Sequence, residues 1–377
     1  MKESFSNRKK AKKVHKVQTA NGVFMTVLYW GVRFFIFLCG VRVKSINNVG
    51  KIKGPALVLC NHGSFVDFVY AATLLYKFKP HFIVARLYFY NTFLGWLLKK
   101  LGAFPKSMFA ADTENAKNCL TVLKNKEILA MMPEARLSTV GQFEDIQENT
   151  YAFIKKCNAN VYTIKISGDY LAYPKWGKGL RRGAVVEAQL DALYTAEQLQ
   201  NLSLEEIKKD VYQRLCYDDF AWLKDHPKMH YRSPHIAEGL ENVLSICPVC
   251  NQKHVLTTNK NKIFCENCGF LTSLSDRYEF DENFKFENIS QWYNWQKSVL
   301  ENEISKNEDF ALISKVELRL PGDGKTLTRH GGYGVCKLDR SGLTYCGTKD
   351  GETVELNFSL QRKIGRASCR ERVCEAV

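Results

Sequence analysis

Apolar residues follow three regimes along this chain. From Val23 to Val41 they are almost continuous: eleven are Val, Leu, Ile or Phe, and Arg33 is the single charge. From Ala56 onward, short apolar runs at Ala56–Cys60, His81–Arg86, Glu127–Met132, Val161–Ser167 and Gly183–Leu190 predict strands. Between and after them, helical spacing predicts helices over Ser64–Tyr76, Asn91–Leu101, Thr113–Asn125 and Ser203–Tyr217. Strands alternating with helices imply an α/β sheet with flanking helices. Beyond an aromatic stretch and a predicted helix over Ile289–Ile304, a period of two recurs at Ala311–Leu320, Tyr333–Leu338, Leu343–Cys346 and Thr353–Phe358. Glycine-rich turns separate these segments, which predicts a small β domain.

The first run would be roughly 28 Å long as a helix, close to the thickness of a bilayer core. A central arginine costs about 2.5–3.5 kcal/mol, against about 0.3–0.6 gained per large apolar residue. Basic residues stand on both sides: Lys9, Lys10, Lys12, Lys13 and Lys16 before the run, and Arg42, Lys44, Lys51 and Lys53 after it. The positive-inside bias therefore favours no crossing, and the segment reads as a monotopic or re-entrant membrane-associated helix on the cytoplasmic face.

Charge extends this picture. The 377 residues carry a net charge of +15, with 45% apolar residues, a globular composition that points to anionic partners. The basic residues gather around the apolar N-terminal segment, which favours an anionic phospholipid membrane over nucleic acid. Thirteen cysteines, scattered except for two close pairs, suit a reducing compartment and metal thiolates better than a disulfide framework. No small-residue cleavage site follows the apolar run, so no cleavable signal is expected.

Within Asn61-His-Gly-Ser-Phe-Val-Asp67, five positions separate His62 from Asp67, roughly 500° of helical rotation. The two side chains meet only if His62 lies in a loop and Asp67 in the first turn of the next helix. A carboxylate behind an imidazole fixes its tautomer and steadies the imidazolium, the arrangement a general base needs. The same residues also read as a capping box, with Ser64 as N-cap and Asp67 at the third helical position. Roughly seventy residues later comes Met132-Pro-Glu-Ala-Arg-Leu-Ser138.

With both stretches in view, residues 45–225 or so resemble the glycerolipid acyltransferases of the 1-acylglycerol-3-phosphate acyltransferase type. That family carries an NHxxxxD block, matched by Asn61, His62 and Asp67, and a PEG-type block. Pro133, Glu134, Arg136 and Ser138 match the second block, while Ala135 stands where the family has glycine. If the backbone there requires a positive φ, the alanine Cβ is costly. Gly102-Ala-Phe-Pro-Lys106 is a short version of the family's Gly-x-x-Phe-x-x-Arg block, with lysine as the phosphate contact, and Val161–Lys165 matches its fourth block without the proline.

The resemblance implies that His62, oriented by Asp67, takes the proton from the free hydroxyl of a lysophospholipid. The hydroxyl then attacks an acyl thioester on coenzyme A or acyl carrier protein, with no covalent enzyme intermediate. Glu134, Arg136 and Ser138 would shape the acceptor site, while Arg86 and Lys106 would meet the phosphate; Arg181 and Arg182 are further basic candidates. Another acceptor, glycerol 3-phosphate or a different lysolipid, fits the same residues.

A second chemistry lies downstream. Cys247-Pro-Val-Cys250 and Cys265-Glu-Asn-Cys268 are two CxxC knuckles fourteen residues apart, with a hairpin expected between them. Four thiolates at this spacing close a structural Zn²⁺ site, a zinc ribbon; iron in a rubredoxin-like site is the alternative. The expected domains are a basic arm and apolar helix (1–45), the acyltransferase part (46–235), the ribbon (240–275) and a β-rich region (276–363). The stretch Ile364–Val373 resembles a translated sequencing adapter, so 364–377 is read as a non-native tail. A different reading, a zinc-ribbon nucleic-acid or protein-binding protein with a degenerate acyltransferase domain, also suits the net charge.

Overall fold

The computed structural model describes residues 17–107 and 112–359. The basic arm and the adapter-like tail lie outside the described residues.

Helix α1 (Gly22–Leu38) begins at Asn21, whose side chain caps the amides of Val23 and Phe24. Only Met25 and Ile36 of this helix are buried, while Val23, Phe34 and Phe37 are 77%, 61% and 66% exposed. The apolar run is therefore a one-sided helix. Among the described residues, no helix is long and apolar enough to cross a membrane.

Strands β1 (Arg42–Asn47) and β2 (Ala56–Cys60) lead into α2 (Asp67–Leu75), followed by β3 (His81–Ala85), α3 (Thr92–Lys100) and β4 (Phe104–Lys106). Then come α4 (Thr113–Lys124), β5 (Ile128–Met131), α5 (Glu148–Lys156), β6 (Asn160–Ser167) and the single turn α6 (Asp169–Ala172). Strand β7 (Val185–Tyr194) and helices α7 (Ala196–Asn201), α8 (Leu204–Leu215) and α9 (Asp219–Lys224) complete this part. The seven strands form one mixed sheet in the order β1-β7-β6-β2-β5-β3-β4, in which only β6 and β7 pair antiparallel.

Central strand β2 shows why its sequence is uniformly apolar. Ala56, Val58 and Cys60 enter the core on one face, and Leu57 and Leu59 enter the core on the other. A strand buried on both faces has no polar positions to alternate with. Strand β1 carries only Val43 and Ile46 as apolar residues because it is an edge strand. Its Lys44 forms an ion pair with Glu187 of neighbouring β7 at 2.7 Å, and charge is how edge strands avoid further pairing. It also runs across the boundary expected at residue 45.

Strands β8 (Leu256–Asn259), β9 (Lys262–Cys265) and β10 (Leu271–Ser273) make the three-stranded ribbon. The ribbon has no separate core. Cys247, Leu256, Ile263 and Cys265 belong to the same buried cluster as Val58, Ile164 and Leu171. Tyr278, Phe286, Ile289 and Trp292 join it, so the segment through α10 (Ile289–Lys306) packs with the ribbon instead of opening the β-rich region. Tyr278 crosses the seam, donating its hydroxyl to Leu171 O at 2.7 Å. Buried Arg181 lies there too: it donates to Tyr278 Oη and Ser233 Oγ and stacks over Trp176, so it is structural and does not face a ligand.

The β domain proper is an antiparallel meander of β11 (Ala311–Pro321), β12 (Thr328–Asp339), β13 (Gly342–Lys349) and β14 (Glu352–Ser359). Its alternation was readable because one face packs on Val316, Cys336 and Tyr345.

Candidate active site

Strand β2 hands over to the His62 loop at Asn61, which is fully buried. Its amide nitrogen donates to Ile166 O at 2.8 Å and its oxygen accepts from Ile166 N–H at 2.6 Å. The Asn61 side chain thus extends the β2–β6 ladder by one rung and fixes where the loop starts. At Gly63 a Cβ would lie 2.5 Å from Asp169 Oδ1, so only glycine fits against that carboxyl. Burial, reinforced by Asp219 and Asp67, pushes the Asp169 carboxyl well up, toward its neutral form.

His62 Nδ1 meets Asp67 Oδ2 at 2.5 Å. Asp67 is the first residue of α2 and is itself buried, whereas the His62 side chain keeps 25% exposure on the wall of the cavity described below. With Nδ1 engaged by the carboxylate, Nε2 is the nitrogen left to work on a substrate proton. Burial pulls the imidazole pKa down, but the charge and hydrogen bond of Asp67, with Glu134, outweigh it, and the net shift is upward.

The expected capping box does not form. Helix α2 starts at Asp67, not Ser64; the Ser64 hydroxyl donates to Tyr173 O at 3.1 Å and accepts only from Val66 N–H, at 3.4 Å, not from Asp67. Asp67 is committed to the histidine.

The PEG-type stretch grips the backbone of this histidine. Glu134 Oε1 accepts the His62 N–H at 2.8 Å, and the Ser138 N–H donates to His62 O at 2.9 Å. Glu134 Oε2 also accepts from Glu144 N–H at 2.8 Å, and the Ser138 hydroxyl donates to Gln142 O at 2.6 Å. Both side chains are buried and away from the cavity. Glu134 and Ser138 were expected to shape an acceptor site, and the structure makes them braces. Burial pushes the Glu134 carboxyl up to about 8, although the two amides pull it back, so Asp67 is the main negative charge supporting His62.

Between Pro133 and Arg136 the chain turns through Ala135 at φ 60°. A left-handed alanine costs about 1–2 kcal/mol relative to its ordinary conformation, and glycine carries no such penalty. Ala135→Gly is therefore expected to raise the melting temperature by a few degrees, read by circular dichroism. A lower melting temperature would show that the turn is not strained.

The site opens into a cavity of about 780 Å³, in the size range of small-molecule sites. Its polar lining includes His62, Asp67, Arg86, Lys106, Ser107, Arg136 and Lys175. Its apolar lining comes from α1 (Leu28, Val32, Ile36), α2 (Val69, Ala72), Phe82 and α3 (Leu94, Leu98). Edge strand β4 carries Lys106 to the wall, and burial is the main cause lowering its pKa. Arg86 donates to Ser107 Oγ at 2.9 Å and lies 3.4 Å from Glu114. Arg136 is ion-paired with Glu144. Of these three predicted cations, Lys106 has no ion-pair partner among the described residues.

Sequence reading missed Arg33, which looked like a cost within the apolar run. Its Nη1 donates to Tyr29 Oη at 2.9 Å, one helical turn away, and both residues face the cavity. The i, i+4 spacing was the available signal. It also missed Lys175 and the β11–β12 hairpin, for which no local signal exists.

Residues 40–167 match the family model described as Acyltransferase. The chain carries a domain of the acyltransferase family. Over 159 residues it is 22% identical to the chloroplastic 1-acyl-sn-glycerol-3-phosphate acyltransferase LPAT1 of Arabidopsis thaliana, covering 42% of this chain and 44% of that protein. Over 94 residues it is 27% identical to the 1-acyl-sn-glycerol-3-phosphate acyltransferase of Bacillus subtilis (strain 168), covering 25% and 47%. The chain thus spans less than half the length of either relative. The crystal structure of the 1-acyl-sn-glycerophosphate acyltransferase PlsC from Thermotoga maritima overlaps 56% of this chain and 80% of its own at 18% identity, with a TM-score of 0.42.

The second chemical centre lies outside the matched segment of the acyltransferase domain. The Sγ atoms of Cys247, Cys250, Cys265 and Cys268 all lie within 4.8 Å of one another, and none is in a disulfide. Cys247–Cys268 and Cys250–Cys265 are each 3.8 Å apart. A tetrahedron with metal–sulfur bonds of about 2.3 Å has edges of about 3.8 Å, so the four thiols fit a closed four-thiolate metal.

Proposed function

We propose that this protein transfers an acyl group from a thioester to the free hydroxyl of a 1-acylglycerol 3-phosphate, giving phosphatidic acid. The observation that carries the reading is the buried Asp67 behind a cavity-facing His62, inside a segment that matches the acyltransferase family. Both curated relatives bear the 1-acyl-sn-glycerol-3-phosphate acyltransferase name, which supports this choice of acceptor.

In the proposed reaction His62 Nε2 takes the proton of the acceptor hydroxyl as its oxygen bonds to the thioester carbonyl carbon. The tetrahedral adduct collapses, the carbon–sulfur bond breaks, and the imidazolium returns its proton to the departing thiolate. Asp67 holds the ring throughout and stabilises its charged form. Lys106 offers a point charge to the acceptor phosphate, with Arg86 and Arg136 beside it. The apolar walls from α1, α2 and α3 take the alkyl chains. We assign the donor as acyl-CoA or acyl-acyl carrier protein. The four-cysteine site would hold a structural zinc, which leaves no coordination position open for substrate.

Membrane association is part of the same proposal. The exposed apolar residues of α1, with Phe93 and Trp96 of α3 and the adjacent Lys99 and Lys100, suit the surface of an anionic bilayer on the cytoplasmic face.

The deciding assay gives the purified full-length protein lysophosphatidate, glycerol 3-phosphate and other lysolipids, each with acyl-CoA and acyl-acyl carrier protein. Anionic or neutral vesicles are present. Phosphatidic acid is the expected main product, with protein cosedimenting with the anionic vesicles. Absence of acyl transfer to every acceptor would sink the reading.

A further inference from the structure

The substrate cavity is not built by the acyltransferase domain alone. Arg319, Leu320, Pro321 and Thr328, from the far end of the β11–β12 hairpin, line it too. More than two hundred residues separate them from the His62 loop.

Two features aim the hairpin there. The first is a β-bulge, where the register shifts between Leu318, opposite Gly332, and Arg319, opposite His330. Gly331 is the extra residue, and a Cβ on it would lie 2.7 Å from Leu320 Cγ. Bulges bend the strand that carries them, and this one, on β12, bends the hairpin beside Leu320 of β11.

The second feature is a specific dock. The first amide of a helix has no partner inside the helix, and in α3 that N–H, on Thr92, donates to Gly324 O at 2.7 Å. Asn91 caps α3 with its side-chain oxygen, accepting from Leu94 N–H at 2.9 Å, while its side-chain nitrogen donates to Lys325 O at 2.6 Å. Gly324 adopts φ 104°, and a Cβ there would lie 2.9 Å from Thr92 Oγ1. The hairpin tip therefore completes the N-terminus of the helix whose Leu94 and Leu98 line the cavity.

We infer that the β11–β12 hairpin of the C-terminal domain is a wall of the acyl cavity, and that Leu320 determines which acyl chains the cavity admits. The choice of ligand rests on the acyltransferase reading; the wall itself rests on the lining and the dock. An appended domain thereby sets the specificity of a site whose base lies elsewhere. A larger side chain at position 320 subtracts from the space for the alkyl chain, and a smaller one adds to it. A change at position 324 lifts the tip off α3 and weakens discrimination between chains.

The test uses the full-length protein and its Leu320→Trp, Leu320→Ala and Gly324→Val variants, each checked by melting temperature. One arm titrates cis-parinaric acid, a fluorescent fatty acid, and needs no turnover. The other compares oleoyl-CoA with decanoyl-CoA as donors to lysophosphatidate. Leu320→Trp should weaken parinaric acid binding and lower the oleoyl-to-decanoyl ratio by about tenfold, the lower range for a misfit in an apolar pocket. Leu320→Ala should move the ratio the other way, and Gly324→Val should bring it toward one. A parent that binds parinaric acid but transfers no acyl group defeats the acyltransferase reading and leaves the wall to be decided by the binding arm. Binding and selectivity unchanged in folded Leu320→Trp and Gly324→Val overturn the inference.

Discussion

His62→Ala removes acyl transfer to lysophosphatidate down to a residual rate about 10²–10⁴ below the parent, the usual contribution of a positioned general base. The fold should survive, because the backbone groups of His62, not its ring, carry the contacts to Glu134 and Ser138. Asp67→Asn is the companion variant and has a distinct signature. In the parent the base form of His62 is populated only above a midpoint higher than the ordinary 6.5, so the rate rises with pH through that midpoint. Without the Asp67 charge, burial is the larger influence on the ring, and the midpoint moves below its parental value. The rate also falls, because the ring is no longer held in one tautomer. Unchanged transfer by purified His62→Ala would falsify the catalytic assignment. A lower rate in Asp67→Asn with an unmoved midpoint would reduce Asp67 to a packing residue.

The Cys265→Ser substitution has the second large effect. Structural zinc in small finger peptides contributes about 10–16 kcal/mol, as much as the whole stability of many domains. A metal's contribution here would not be confined to the ribbon, because Cys247 and Cys265 share a buried cluster with Leu171 of α6 and Ile164 of β6. Tyr278 ties the two parts at Leu171 O, and Leu171 lies in the α6 turn whose Asp169 backs Gly63 of the histidine loop. The variant should lose its zinc, melt at a lower temperature and lose activity with it. Zinc content by elemental analysis equal to that of the parent would dismiss the metal site. Zinc lost with the melting temperature and activity intact would show the ribbon to be energetically separate.

Much of this arrangement was legible from local pattern. The run Ala56–Cys60 reads as a short buried strand and is one, with the same limits. The four strands of the C-terminal sheet were readable from alternation and glycine turns, and observed strands begin or end within a few residues of the expected positions. The two CxxC knuckles needed only their spacing. What escaped was set by neighbours. Strand β1 carries charge because it is an edge, and only its partner β7 makes it a strand. Ser64 looked like the cap of α2, but the helix starts three residues later, at Asp67, and the Ser64 hydroxyl is tied to Tyr173 O and Val66 N–H. Glu134 and Ser138 belong to a block that resembles a ligand-binding motif, and their burial against the histidine backbone cannot be read from residue type. The cavity lining from Arg319 to Pro321 depends on a bulge and a dock that exist only after folding.

The hold of Glu134 on His62 spans 72 positions of chain. The base is therefore aligned by a contact that no local folding event creates. Ordering the histidine loop waits for β2 and β5 to pair, a long-range closure that is among the slower steps available to a chain. Conversely, a local opening of the segment 132–144 would release both peptide groups of His62 while leaving the sheet intact. The free energy of that small opening, not the melting of the whole domain, then sets how warm the protein can become and still hold its base in place.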